Sequence, residues 1–188
     1  GITLLPLATF AMEAYANDPC EYFAPKIAPE GSSYNDKTLR LISQMHKAIT
    51  IIQFKLEAAA IRRHPEFDMN SRLLLHHIDF KRKVFQLDGK DYEMRDCLFP
   101  TIDPEHPYEL TQEERDVLNA LEASFLQSEK LQKHIRFLYS HGALYTVVNG
   151  NLMYHGCIPI DEDGNFEDCT VNGVTTSGKA YMDYLDEQ

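Results

Sequence analysis

The stretch that decides the fold is NDKTLRLISQMHKAITIIQFKLEAAAIRRHP, residues 35–65. In it Leu39, Ile42, Met45, Ile49, Ile52, Leu56 and Ala59 or Ala60 recur at steps of three and four residues, the spacing that gathers side chains on one face of an α-helix. Asn35 or Asp36 supplies the N-cap. His64-Pro65 supplies the stop, because proline disfavours helical backbone in the residue before it. Ile51 and Phe54 widen the apolar stripe, so this helix is expected between neighbours in an interior rather than on a wet surface.

The flanking sequence offers those neighbours. On the N-terminal side, Leu7–Ala16 reads as a short helix after Pro6 that halts at Asn17-Asp18-Pro19. The segment Cys20–Ser33, with Pro25, Pro29 and Gly31, reads as a loop. On the other side, a second helix is expected from Glu66 to His77 around Leu73-Leu74-Leu75. A hairpin then turns at Asp88-Gly89 between Lys83–Leu87 and Lys90–Met94. After a proline-broken loop, Thr111 and Glu114 form the capping-box pattern. The helix they open is expected to run to Ser140 on Val117, Leu118, Leu121, Phe125, Leu131, Ile135 and Leu138, with Gly142 as a left-handed terminator. Beyond it the period becomes strand-like: Ala143–His155 folds back at Asn149-Gly150, Asn172-Gly173 reverses the chain again, and a last helix starts near Ser177. The expected class is α+β and predominantly helical, with long antiparallel helices and short β-hairpins. Its segments are 1–34, a helix and proline-rich loop; 35–141, a helical insertion carrying one hairpin; and 142–188, a hairpin segment with a terminal helix.

Composition removes several function classes. Among the 188 residues, 18 Lys+Arg stand against 29 Asp+Glu, a formal charge of -11, so a broad basic face for nucleic acid is excluded. The apolar stretches Ile2–Ala16 and Ala58–Ile61 are too short or too interrupted to span a bilayer, which takes about 20 residues, so no membrane partner is expected. Cys20, Cys97, Cys157 and Cys169 form no CxxC pair, and a chain of this size needs no disulfides, so free thiols in the cytoplasm are expected. Gly1 through Leu7 lacks an initiating Met and the basic region of a signal peptide, and reads as the interior of a longer chain.

Several residue groups invite a chemical reading and have a plainer one. Asp161, Glu162 and Asp163 before Gly164 resemble a calcium loop, but Phe166 and the missing flanking helices fit an ordinary acidic turn better. His76 and His77, adjacent on a helix, would point about 100° apart and serve no common metal. Lys81-Arg82-Lys83 reads as a solvated strand edge. His141 is explained as a cation at a helix end. His155 differs: it ends an apolar strand, a rigid support for a ligand. Gly156 after it would let the backbone pass close to whatever the imidazole faces.

Asn149-Gly150-Asn151-Leu152-Met153-Tyr154-His155-Gly156-Cys157-Ile158-Pro159, Arg95-Asp96-Cys97-Leu98-Phe99-Pro100-Thr101 and Ser128-Glu129-Lys130-Leu131-Gln132 together resemble the class III fructose-1,6-bisphosphatases of Firmicutes and related bacteria. Leu4–Ala11 is similar to a segment of the same family. The resemblance implies a piece of a larger calcineurin-like α/β sandwich enzyme, with the hairpin segment of 142–188 belonging to its catalytic domain. Such an enzyme holds a divalent metal pair, Mn2+ in this family, and hydrolyses a sugar bisphosphate, fructose 1,6-bisphosphate, to fructose 6-phosphate in gluconeogenesis. It also implies that His155 is a metal ligand. No other catalytic or cofactor-binding residue can be matched, because the family's Asp-x-His, Gly-Asp-x-x-Asp-Arg, Gly-Asn-His-Asp and Gly-His-x-His motifs do not occur here. The chain by itself is therefore expected to be inactive. The rival reading, from residues 36–141, is a non-catalytic helical module for oligomerisation or regulation, with a homo-oligomer left open.

Overall fold

The computed structural model describes residues 3–26, 35–156 and 158–188. The loop expected over Cys20–Ser33 falls partly, and the free thiol expected at Cys157 wholly, outside the described residues. Two compact units divide between Ser128 and Glu129, and the described residues form an α+β fold of five helices and small antiparallel sheets.

In the first unit, α1 (Leu5–Ala14) starts two residues before the sequence pattern places it, with Pro6 in its first turn, where a missing amide costs nothing. Helix α2 (Asp36–Arg63) is capped as expected: Asn35 Oδ1 accepts the Thr38 amide at 2.9 Å. Helix α3 (Gln112–Leu126) opens with the complete Thr111–Glu114 capping box. Leu7, Phe10 and Ala11 of α1 meet Ala48 and Ile52 of α2 and Val117 of α3 in one core, with Tyr15 and Cys20. Gln44 Nε2 and Arg40 donate to the carbonyls of Tyr15 and Ala16, both at 2.7 Å, and so fasten the end of α1 to α2. A second core joins Ile51, Leu75 and Ile102.

The buried face of α2 is not the stripe read from periodicity. It runs through Ser43, Gln44, Lys47, Ala48, Ile51, Ile52, Lys55, Ala58 and Ile61, whereas Leu56 and Ala59 are exposed. Two lysines occupy the centre of this face and rotate it away from the expected apolar line. The helix expected over 66–77 is instead three single 3₁₀ turns, Pro65–Phe67, Asn70–Arg72 and Leu75–His77. Asp68, with φ +49°, breaks the path, and Asp68, Asn70 and Ser71 are residues whose side chains compete with helical backbone bonds. Strands β1 (Ile78–Asp79), β2 (Val84–Leu87) and β3 (Lys90–Glu93) follow as an antiparallel sheet turning at Asp88-Gly89. Lys81-Arg82-Lys83 lies in the β1–β2 turn rather than on a strand; Asp79 Oδ1 accepts the amides of Lys81 and Arg82, and Arg82 pairs with Asp91.

The single helix expected from Gln112 to Ser140 is two. Helix α3 ends at Leu126, and α4 (Glu129–His141) begins the second unit; Ser128 and Glu129 are the residue types that open helices. Gly142 closes α4 by donating to the Leu138 carbonyl at 2.7 Å, but its φ is not positive. Glycine is needed there because a Cβ would stand 2.5 Å from the Leu138 oxygen. Strands β4 (Tyr145–Val148) and β5 (Asn151–Tyr154) pair through Asn149-Gly150, both at positive φ as a type I′ turn requires. Strands β6 (Cys169–Val171) and β7 (Val174–Thr176) turn at Asn172-Gly173, and α5 (Gly178–Glu187) follows the N-cap Ser177. Tyr145 donates to Asp183 at 2.6 Å and the Leu144 amide to Asp186 at 3.0 Å, which ties β4 to α5.

Candidate functional site

The polar chemistry of the first unit is concentrated inside it. Lys47, fully buried, donates to Asp18 Oδ2 at 2.5 Å and to both oxygens of Asp96 at 2.8 and 2.7 Å. Its ammonium also lies 4.8 Å from the centre of the Phe99 ring, a geometry that favours a cation. Two turns further along α2, Lys55 donates to the Thr101 carbonyl at 2.6 Å and to Glu114 Oε2 at 2.7 Å. Both side chains of that pair are wholly buried, and Glu114 Oε2 also accepts the Thr111 amide. Thr101 Oγ1 meets the Tyr15 hydroxyl at 3.3 Å. Asp96, Phe99 and Thr101 of the quoted Arg95–Thr101 segment thus serve to seat that loop on α2.

A cleft of about 340 Å3 beside this network is lined by Asp18, Cys20, Lys83, Arg95, Asp96 and Cys97. Burial, reinforced by Asp18, pushes the Cys20 thiol up to about 12, and burial also raises the Cys97 thiol. Neither is a thiolate near neutrality, so the cleft holds no activated nucleophile. Burial likewise drives the Tyr15 phenol well above its usual range.

His155 stands just past β5, exposed, with Gly156 at φ +100°. A Cβ on Gly156 would meet nothing within 4 Å. The close backbone approach expected there is therefore not found among the described residues, and glycine is required by its backbone angle. His141 sits at the end of α4 with its ring stacked on Phe137 at 4.5 Å and Nδ1 2.7 Å from Ser140 Oγ, in keeping with a helix-end role. His76 and His77 do not point apart as on a helix: their rings lie 4.2 Å apart, and His76 Nδ1 is 2.9 Å from the Tyr108 hydroxyl. Burial, then His77 and Arg62, lowers the His76 pKa. Asp161 is occupied by its own turn, accepting the amides of Asp163 and Asn165. Among the described residues, no three His, Cys, Asp or Glu side chains converge as a metal site would need.

The family model described as Firmicute fructose-1,6-bisphosphatase matches residues 1–188. The chain belongs to the Firmicute fructose-1,6-bisphosphatase family. It is 55% identical to the class 3 fructose-1,6-bisphosphatase of Phocaeicola vulgatus over 97% of its own length, and 55% identical to that of Bacteroides fragilis over 100%. The Clostridium acetobutylicum enzyme of the same name is also 55% identical, over 99%. In each case the chain spans 28% of the relative's length. No solved structure matches. For this Firmicute-type chain, sequence reasoning from residue types alone missed Lys47 and Lys55. Their one visible signal is a pair of lysines two turns apart between apolar neighbours.

Two outcomes follow from the buried charges. Lys55→Met leaves the Glu114 carboxylate buried without a cation and is expected to cost about 3–5 kcal/mol. Adding Glu114→Gln, which keeps the capping-box residue type, recovers more than half of that loss in denaturant titrations; an unchanged double variant would contradict the pairing. For Cys20 the folded-state pKa is raised, so its contribution is complete below the ordinary value of 9.0 and is lost as pH rises toward about 12. Stability measured across that range should fall more steeply for the natural chain than for Cys20→Ala. Parallel curves would show that the thiol is not held neutral.

Proposed function

We propose that this chain is part of a longer metal-dependent fructose-1,6-bisphosphatase of the cytoplasm. That enzyme would convert fructose 1,6-bisphosphate and water to fructose 6-phosphate and phosphate in gluconeogenesis. What carries the reading is the family match over residues 1–188, together with about 55% identity to relatives of that name. A calcineurin-like sandwich and a manganese pair belong to the same proposal. The described residues do not fit a metal pair by themselves, since His155 is a single exposed imidazole with no convergent donors. The proposal therefore gives His155 one ligand position and leaves the other donors to the rest of the longer enzyme.

Within that enzyme, the compact unit Gly1–Ser128, which takes in most but not all of the 36–141 stretch expected as a helical module, is read as non-catalytic. Two observations favour this. The unit closes its own cores around α1, α2 and α3, and its buried charges are consumed by one another. No helix among the described residues is long and apolar enough to cross a membrane.

The test uses the longer enzyme. His155→Ala should lower bound metal and reduce turnover by far more than the ~10- to 100-fold typical when a residue that merely supports a ligand is lost. His141→Ala should leave metal content unchanged. The 188-residue chain alone should release no phosphate from fructose 1,6-bisphosphate with added Mn2+. Full metal content in the His155 variant would remove the ligand assignment, and turnover by the short chain would overturn the reading of a part of a longer enzyme.

A further inference from the structure

The second unit leaves most of its apolar surface uncovered. Of its described residues, only Gly178 and Met182 are buried, a small interior for a unit of this size. The β4–β5 register shows what is unusual about the hairpin. Val147 opposite Leu152, and Tyr145 opposite Tyr154, lie on one face; Thr146 opposite Met153, and Val148 opposite Asn151, lie on the other. Val147, Leu152 and Tyr154 are exposed on the first face, and Val148 and Met153 on the second, each about half or more. A hairpin with one wet face alternates apolar and polar residues, whereas strands covered on both faces read as continuous apolar runs. Val147-Val148 and Leu152-Met153-Tyr154 are such runs.

We infer that the β4–β5 hairpin is an interior element of the longer enzyme, packed on both faces by sequence outside these 188 residues. This rests on the reading that the chain is part of a longer fructose-1,6-bisphosphatase. Two observations choose this occupant. The matched relatives carry this region as only 28% of their length, so ample chain exists to cover it. A second copy related by a two-fold axis would cover one self-complementary patch and leave the opposite face of the hairpin wet. The covering layers would also hold the strand end at His155 still, as a ligand position requires.

Hydroxyl-radical footprinting on unmodified protein tests this without a variant that could fail to fold. In the longer enzyme, oxidation of Leu152 and Tyr154 on one face and Met153 on the other should be lost, falling to the level of the buried Tyr15. In the 188-residue chain the same side chains should oxidise like the exposed Tyr22. Three results would overturn the inference: reactivity of either face in the longer enzyme, protection already present in the 188-residue chain, or protection that disappears when the longer enzyme is diluted to monomer, which would assign the cover to a second copy. Repeating the measurement on the His155→Ala enzyme separates the two proposals. Unchanged protection with unchanged metal content removes the ligand role and keeps the docking; lost metal with reactive faces does the reverse.

Discussion

Lys47 and Lys55 place two ammonium groups in the interior of the first unit, and the surrounding chain is arranged to meet them. An isolated charge so far from water would cost several kcal/mol, so each lysine needs a carboxylate brought from elsewhere in the sequence. Lys47 takes Asp18, from the turn after α1, and Asp96, from the loop after β3. Lys55 takes Glu114, from the start of α3, and the carbonyl of Thr101. One face of α2 thereby fixes the end of α1, the 94–101 loop and the first turn of α3. Apolar packing around Ala48, Ile51 and Ile52 supplies most of the area buried, but it is non-directional. The charges add the requirement that particular loops, and no others, lie against particular turns of α2.

Glu114 shows how local and long-range demands meet in one side chain. As the third residue of α3 it completes the capping box with Thr111, and the oxygen that accepts the Thr111 amide also receives Lys55. Its other oxygen, Oε1, is buried with no hydrogen-bond partner among the described residues, which makes the Lys55 contact the more necessary. The second unit is organised differently. Its polar ties, Tyr145 to Asp183 and Leu144 to Asp186, fix β4 to α5 at the surface, while its apolar strands remain exposed. The first unit pairs its buried charges with one another; the second presents apolar surface that a larger assembly would cover.

The elements legible in the sequence are those whose causes are local. Asn35 as a cap, the Thr111–Glu114 box, and the Asp88-Gly89, Asn149-Gly150 and Asn172-Gly173 turns each depend on residues within a few positions of one another, and each is found. The break at Gln127-Ser128 shows in the pattern only as the six-residue step from Phe125 to Leu131, about 120° out of register; the three- and four-residue steps on either side of it read as one helix. The 3₁₀ turns over Pro65–His77 were obscured by Leu73-Leu74-Leu75, whose apolar run outweighed the helix-breaking Asp68, Asn70 and Ser71. Lys47 was unreadable because its partners lie 29 and 49 residues away. His155 came into view through resemblance rather than through its own surroundings, since no three His, Cys, Asp or Glu side chains converge among the described residues.

The ammonium groups of the lysine side chains offer the most direct measurement. Proton exchange of each lysine ammonium, followed by 15N NMR on the folded chain near neutral pH, should show two slowly exchanging groups, assigned to Lys47 and Lys55, because buried ammonium groups that donate to three and two acceptors respectively are shielded from water. All other lysines should exchange too fast to be seen. If Lys47 and Lys55 exchanged as rapidly as the surface lysines, the interior charges would not be where the fold requires them, and the organisation of the first unit around α2 would have to be abandoned.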